Sequence, residues 1–237
     1  MKSNERYLVF GDIHGCYKAA AKAVELTKTE SAKGVFLGDY VDRGPDSIKT
    51  LKVLIEAKKQ NPDWIFLRGN HDQMLLDLIL GITEPNTEFK VPNGLSSNEE
   101  TTKVFLKWQS SSQTLKKEII SFLESTLFFY EIEHCIFVHA PLKDNNISLD
   151  KKTEEELIWN YDTKPVWEGK QFMHGHATVK DPTTTNKGTN INTLCGYGGI
   201  LTGMLIDMSC FPTIDKLTLG QHNLISFSIS EGGILIE

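Results

Sequence analysis

The chain has 237 residues, 40% apolar and 24% charged, with a formal net charge of -6 and a pI near 5.7. These values suit one large globular domain over 1–237 and exclude a protein that holds nucleic acid by non-specific phosphate contacts, which needs clustered Lys and Arg. Cys16, Cys135, Cys195 and Cys210 lack CxxC spacing, and no signal-type or membrane-length apolar run is present, so a reduced, cytoplasmic protein with no membrane partner is expected.

The first apolar run, Leu8-Val9-Phe10, stops at Gly11-Asp12-Ile13-His14-Gly15. A strand ending this way sets Asp12 and His14 just past its carboxyl end, where side chains can converge on an ion. An aspartate capping the next helix beside a turn histidine explains these residues alone equally well. The spacing of Ala20, Ala23, Val24 and Thr27 predicts a helix over 16–28. Gly34-Val35-Phe36-Leu37 repeats the opening pattern and ends in Gly38-Asp39, followed by Tyr40-Val41-Asp42-Arg43-Gly44. Pro45, Asp46 and Ser47 supply turn and N-cap chemistry for a helix over 47–59. Trp64-Ile65-Phe66-Leu67 is a third apolar run, closed by Arg68-Gly69-Asn70-His71-Asp72. Roughly 30 residues separate successive loops, the length of a βαβ unit. Three parallel strands would therefore collect Asp12, His14, Asp39, Asp42, Arg43, Asn70 and His71 along one rim.

Between 82 and 100, Pro85, Asn86, Pro92, Asn93-Gly94 and Ser96-Ser97-Asn98 predict a long polar loop, either a lid or a plain surface insertion. Helices over 100–109 and 114–124 follow, then a hairpin over 127–132 and 135–138 whose second arm delivers His139. A polar helix over 153–159 precedes His174-Gly175-His176. Alternating apolar and Gly-rich segments from 191 to 237 predict a mainly antiparallel second sheet.

Together the strand ends offer oxygen and nitrogen donors with no thiolate, a set that fits a pair of divalent transition ions better than a structural zinc site. Two such ions, about 3.5–4 Å apart, serve in-line displacement at phosphorus, and Asp39 is placed to bridge them. The same reaction needs a charge clamp and an acid for the leaving oxygen. Arg43, one of three arginines with Arg6 and Arg68, suits the first task. His71 suits the second, with Asp42 the nearest carboxylate to fix its tautomer.

The blocks Gly11 to Gly15, Gly38 to Gly44 and Gly69-Asn70-His71-Asp72 resemble, in order and spacing, the signature blocks of the phosphoprotein phosphatase family within the calcineurin-like metallophosphoesterases. Val138-His139-Ala140 and Gly175-His176 resemble its later histidine blocks, and Asn192 to Thr202 is similar to the C-terminal segment of prokaryotic members. The resemblance implies an α/β fold, a four-layer α/β/β/α sandwich, holding two divalent ions, manganese or else iron or zinc. It implies a first ion on Asp12, His14 and Asp39 and a second on Asp39, Asn70, His139 and His176. His71 would be the acid, held by Asp42, with Arg43 and Asn70 beside the substrate. The leading expectation is a serine/threonine protein phosphatase in which a hydroxide bridging the ions attacks phosphorus in a phosphorylated protein or small phosphoester. A dinucleoside polyphosphate hydrolase like the symmetrical diadenosine tetraphosphatases is the alternative, and a metal-stabilised interaction module without turnover the third.

Some positions depart from the family pattern. Asp72 stands where members usually carry glutamate, and Pro141 lies where a glycine is usual. Trp159-Asn160-Tyr161-Asp162 replaces a Trp-Asn-Arg or Trp-Ser-Arg, and no arginine follows Arg68. A lost guanidinium contact forfeits about 1.5–3 kcal/mol of charge-assisted bonding, so either Lys164 or Lys170 reaches in or the substrate is bound differently. His174 competes with His176 for one ligand slot, and the Gly-His pattern selects the second. Arg68 is expected to steady the Asn70 loop, Tyr197 to face the site or pack, and His134 and His222 to sit in turns.

Overall fold

Strand β1 (Arg6–Phe10) buries four of its five residues, as a strand must when both faces of its sheet are covered. Leu8 and Phe10 pack on one side with Ala20, Leu51, Leu75 and Phe122. Tyr7 and Val9 pack on the other with Phe137, Met173 and Ile206. This alternation, enforced by the two-residue period of a strand, sets β1 between a helical layer and a second sheet. The computed structural model describes residues 5–91, 94–143, 148–162, 167–185, 187–208, 224–230 and 235–236.

In chain order, α1 (Tyr17–Thr29), β2 (Lys33–Phe36), α2 (Ser47–Gln60) and β3 (Ile65–Phe66) complete the expected βαβ units, and α3 (Asn70–Leu80) follows at once. The Asp46 side chain accepts from the Lys49 amide at 3.0 Å and so starts α2 where turn chemistry predicted. The stretch expected to be loop over 82–100 contains a hairpin instead, β4 (Glu88–Val91) and β5 (Gly94–Ser97), paired antiparallel. Two strands of four residues, rich in Ser, Gly and Pro neighbours, carry no periodic signal strong enough to mark them. Helices α4 (Glu99–Gln109) and α5 (Gln113–Glu124) then pack beside α3.

The predicted hairpin is β6 (Phe129–Glu131) with β7 (Cys135–Val138), and α6 (Glu154–Ile158) is closed by a Thr153–Glu156 capping box. Strands β8 (Gln171–His174), β9 (Thr183–Thr185) and β10 (Gly188–Asn190) complete the second sheet, in the order β6-β7-β8-β10-β9. The C-terminal strands correct the sequence reading. β11 (Ile200–Asp207), β12 (Leu224–Ser230) and β13 (Leu235–Ile236) are antiparallel as expected, but they extend the first sheet to β13-β12-β11-β1-β2-β3. β11 pairs with β1 from Arg6↔Asp207 to Phe10↔Gly203, a partner nearly the whole chain away that local pattern does not encode.

The outer face of the second sheet is covered in turn by Leu157 and Ile158 of α6 and by Trp167, packed on Ile136, Val138 and Phe172. The layers therefore run helix, sheet, sheet, helix. No helix among the described residues is long and apolar enough to cross a membrane.

Candidate active site

β1 pairs parallel with β2, and β2 with β3, so their carboxyl ends share one rim. Asp12 and His14 follow β1; Asp39, Asp42 and Arg43 follow β2; Asn70 and His71 open α3 just beyond β3. From the facing sheet, His139 follows β7 and His176 lies two residues past β8. Of the eight described non-glycine residues with positive φ, five are here: His14 (43°), Asp39 (52°), Asp42 (71°), Arg43 (64°) and His176 (62°). Side chains seldom adopt this conformation, and it persists only where neighbours over-determine it. The Ile13 and His14 amides both donate to the Asp39 carbonyl at 3.1 and 2.8 Å, and Gly44 N–H donates to the His14 carbonyl at 2.8 Å. Glycine is needed where loops touch. A Cβ on Gly175 would stand 1.9 Å from Asp12 Oδ1, and one on Gly69 2.1 Å from Asp39 Oδ1.

Donor atoms converge in two groups, His14–Asp39–His71 and Asp39–His139–His176, each within 4.8 Å of one another, and Asp39 belongs to both. Asn70 Oδ1 joins the second group, 3.1 Å from His139 Nε2 and 3.0 Å from His176 Nδ1. Asp12 lies at the edge of the first, 3.8 Å from His14 Nε2 and outside both groups. The imidazoles are set up as ligands. His14 Nδ1 bonds to the Val41 carbonyl at 2.8 Å and His139 Nδ1 to the Leu37 carbonyl at 2.9 Å, which turns each Nε2 lone pair toward Asp39. Burial holds His14, His139 and His176 below the usual histidine range, so they are neutral and able to donate. His176 Nε2 is buried with no hydrogen-bond partner.

Burial and the Asp39 charge push Asp12 well up. Burial works to raise Asp39 as well, but His139, His71, His14 and Arg43 outweigh it and hold that carboxyl below the usual range. Paired carboxylates and neutral imidazoles at one buried point, with an orphaned ring nitrogen, fit divalent cations. These residues could hold such ions.

His71 Nδ1 lies 2.6 Å from Asp42 Oδ2, and its Nε2 lies 2.9 Å from Arg43 Nη2. Burial alone would lower the His71 pKa; Asp39 and Asp42 overcome it and the net direction is up. Arg43 also contacts the His14 ring nitrogens. The Tyr197 ring lies 4.8 Å from the Arg43 guanidinium carbon, so it faces the site and is 59% exposed there.

Three supporting residues escaped the sequence reading. Thr101 Oγ1 on α4 donates to Asp42 Oδ2 at 2.5 Å, and Asn192 Nδ2 donates to Asp12 Oδ2 at 2.6 Å. The Asp72 carboxylate accepts the amides of Asp39, Tyr40 and Gly69 at 2.7, 2.9 and 2.9 Å, which ties two rim loops together. Burial and Asp39 raise its pKa to about 8 against those three donors. Asp72 was visible only as a shortened glutamate; Thr101 and Asn192 carry no motif signal of their own beyond the latter's place in the C-terminal block.

The remaining expectations divide. Arg68 donates to Thr126 Oγ1 and Gln73 Oε1 at 2.8 Å each, which ties the first turns of α3 to the segment after α5. His174 bonds to the Gly175 carbonyl and takes no part in either donor group, so the Gly-His choice of His176 agrees with the geometry. Lys170 does not reach in: it pairs with Glu131 at 2.8 Å on the second sheet, because its short turn after Trp167 directs it there. His134 sits in the β6–β7 turn near Glu133. Lys164, His222 and Cys210 lie outside the described residues.

A family model described as calcineurin-like phosphoesterase matches residues 5–221. A Geobacillus protein named asymmetrical bis(5'-nucleosyl)-tetraphosphatase PrpE is 27% identical over 239 residues, covering 89% of this chain and 92% of its own. A Bacillus velezensis protein of the same name is 29% identical over 228 residues, covering 83% and 87%. Among solved structures, that of a candidate diadenosine tetraphosphatase superposes with a TM-score of 0.64 at 20% identity, covering 95% and 94%. A Saccharomyces cerevisiae protein serine/threonine phosphatase similar to human PP5 gives 0.61 at 16%, covering 97% and 84%, a likeness of fold.

Proposed function

We propose, for a chain that belongs to the calcineurin-like phosphoesterase family, that it is a hydrolase of dinucleoside polyphosphates. The reading rests on one observation, two donor groups that share Asp39, the first of them including His71, which also bonds to Asp42 and Arg43. The names of the relatives favour this substrate over a phosphoprotein, and their asymmetrical cut differs from the symmetrical one expected from the sequence. In this reading residues 1–237 form one catalytic domain working in the cytoplasm, and Asp12, His14, Asp39, Asn70, His139 and His176 hold two divalent ions, with manganese the native metal.

The ions, when bound, supply Lewis-acid charge on the phosphoryl oxygens and acidify a water. The chain's residues do the rest. Arg43 clamps the non-bridging oxygens bidentately, which draws its guanidinium off His71 Nε2. That nitrogen is then free to hold a proton, which the charges of Asp39 and Asp42 favour. As water adds to phosphorus, releasing a proton to solvent, and the phosphorus–oxygen bond of the leaving phosphate breaks, His71 gives its own proton to the departing oxygen, while Asp42 keeps its ring oriented. Asn70 positions the phosphoryl group from the first turn of α3.

Product identification after incubation with diadenosine tetraphosphate and manganese tests this. AMP plus ATP is the expected pair. Two molecules of ADP would move the cut to the centre of the chain, and turnover of phosphoserine peptides with no dinucleotide cleavage would overturn the reading.

A further inference from the structure

The departure at Trp159-Asn160-Tyr161 opens onto a second feature. Tyr161, at the place where the family pattern has an arginine, sets its ring 4.1 Å from that of His176, and Trp159 stands 6.4 Å from the same histidine. Trp159 meets Phe89 of β4 edge to face at 5.4 Å. The three rings line a cavity of about 700 Å³, within the span of about 300–1,000 Å³ usual for small-molecule sites. Tyr161 remains 39% exposed, and Phe89 and Trp159 are half-buried, so each ring keeps surface to offer.

The charges lining it select the occupant. Asp77, Glu154 and Glu155 face Lys90, three carboxylates against one ammonium, which disfavours a polyphosphate inside the cavity. A nucleoside suits the same wall. Its base has an uncharged π-face for the rings, and its exocyclic amine and ribose hydroxyls are donors for carboxylates. Tyr161 links the two places, because its ring lines the cavity and also lies against His176, which is grouped with Asp39 and His139.

We propose that this cavity binds the nucleoside end of the substrate, with the base on Phe89 and Trp159 and the phosphate chain passing Tyr161 to the Asp39 rim. The proposal rests on the dinucleotide reading above. The hairpin β4–β5, which the sequence shows only as a polar insertion, is then a specificity element, because it carries Phe89 and Lys90 to the cavity.

The test compares wild type, Phe89→Ala and Trp159→Ala. The ratio of kcat/KM for diadenosine tetraphosphate to that for p-nitrophenyl phosphate is expected to fall about tenfold in both variants, through KM. Adenosine alone is expected to bind the wild type by calorimetry and to bind Phe89→Ala at least about tenfold more weakly. An unchanged ratio, or an equal loss on both substrates, overturns the proposal. If wild type hydrolyses the aryl phosphate and not the dinucleotide, the functional reading fails by itself. The cavity assignment is then decided by adenosine, whose binding needs no turnover: absence of adenosine binding, or binding unaffected by Phe89→Ala, refutes it.

Discussion

Asp12, Asp39, Asp42 and Asn70 at the strand ends are at most 2% exposed, whereas Tyr161 and Tyr197 above them are 39% and 59% exposed. The difference extends to how each is held. Every rim carboxylate accepts a hydrogen bond from at least one other part of the chain, and the positive-φ Asp39 is pinned by the Ile13 and His14 amides, which donate to its carbonyl. The mouth is built from ring contacts between a short hairpin and the segment after α6. A chemistry that must place charges to within fractions of an ångström demands the first kind of construction. Substrate selection tolerates the second, and a family can alter it without disturbing the rim.

The sharpest way to break this contrast is to attack the shared carboxylate. Asp39→Asn removes a charge from both donor groups, and activity on any phosphoester is expected to fall about 10³-fold or more, with bound metal per chain dropping in elemental analysis. Preserved metal content with intact turnover would show that the rim is not centred where it is drawn. Next, His71→Asn should lower kcat by roughly 10²-fold or more while metal content stays at the wild-type level, since the acid is lost and the ligands remain.

Thr101→Val tests how far the rim's support reaches into α4. Removing the hydroxyl that donates to Asp42 is expected to cost about tenfold in kcat on the dinucleotide and the aryl phosphate alike. A change in their ratio would instead assign α4 to the mouth. The smallest effect concerns the frame. Asp46→Ala should destabilise the fold by about 1 kcal/mol in denaturant titration at neutral pH. Burial opposes ionisation of Asp46, but the Lys49 amide and side chain prevail and hold its carboxyl below the ordinary value of 3.8. A depressed acid contributes stability above its unfolded pKa and loses it as pH falls through the folded one, so the Asp46→Ala difference should shrink below about pH 4.

Legibility in the sequence followed the same division. The rim residues stand in consecutive runs, each at the end of an apolar strand, so local pattern alone sets Asp12, His14, Asp39 and Asn70 on one rim. His139 and His176 come from the other sheet, and a family pattern was needed to bring them in. Thr101 and Asn192 act through one hydrogen bond each, and a lone hydroxyl or amide in a helix or loop gives no signal. The pairing of β11 with β1 is a contact across about 200 residues, and alternation announces a strand without naming its partner. The hairpin over 88–97 was hidden because its turn-rich composition outweighs four-residue strands. Tyr161 was legible only as a missing arginine, because the packing of its ring on His176 brings together residues 15 apart that no local pattern links.

If a metal-binding rim centred on Asp39 acts on dinucleoside polyphosphates, that substrate must be preferred and its cleavage must need metal. The most direct measurement is kcat/KM with manganese for diadenosine tetraphosphate and for a phosphoserine peptide, side by side, before and after chelation. A value at least about tenfold higher for the dinucleotide, abolished by chelation and restored by added metal, is the predicted result. Higher efficiency on the phosphopeptide, or dinucleotide cleavage that survives chelation, would contradict it.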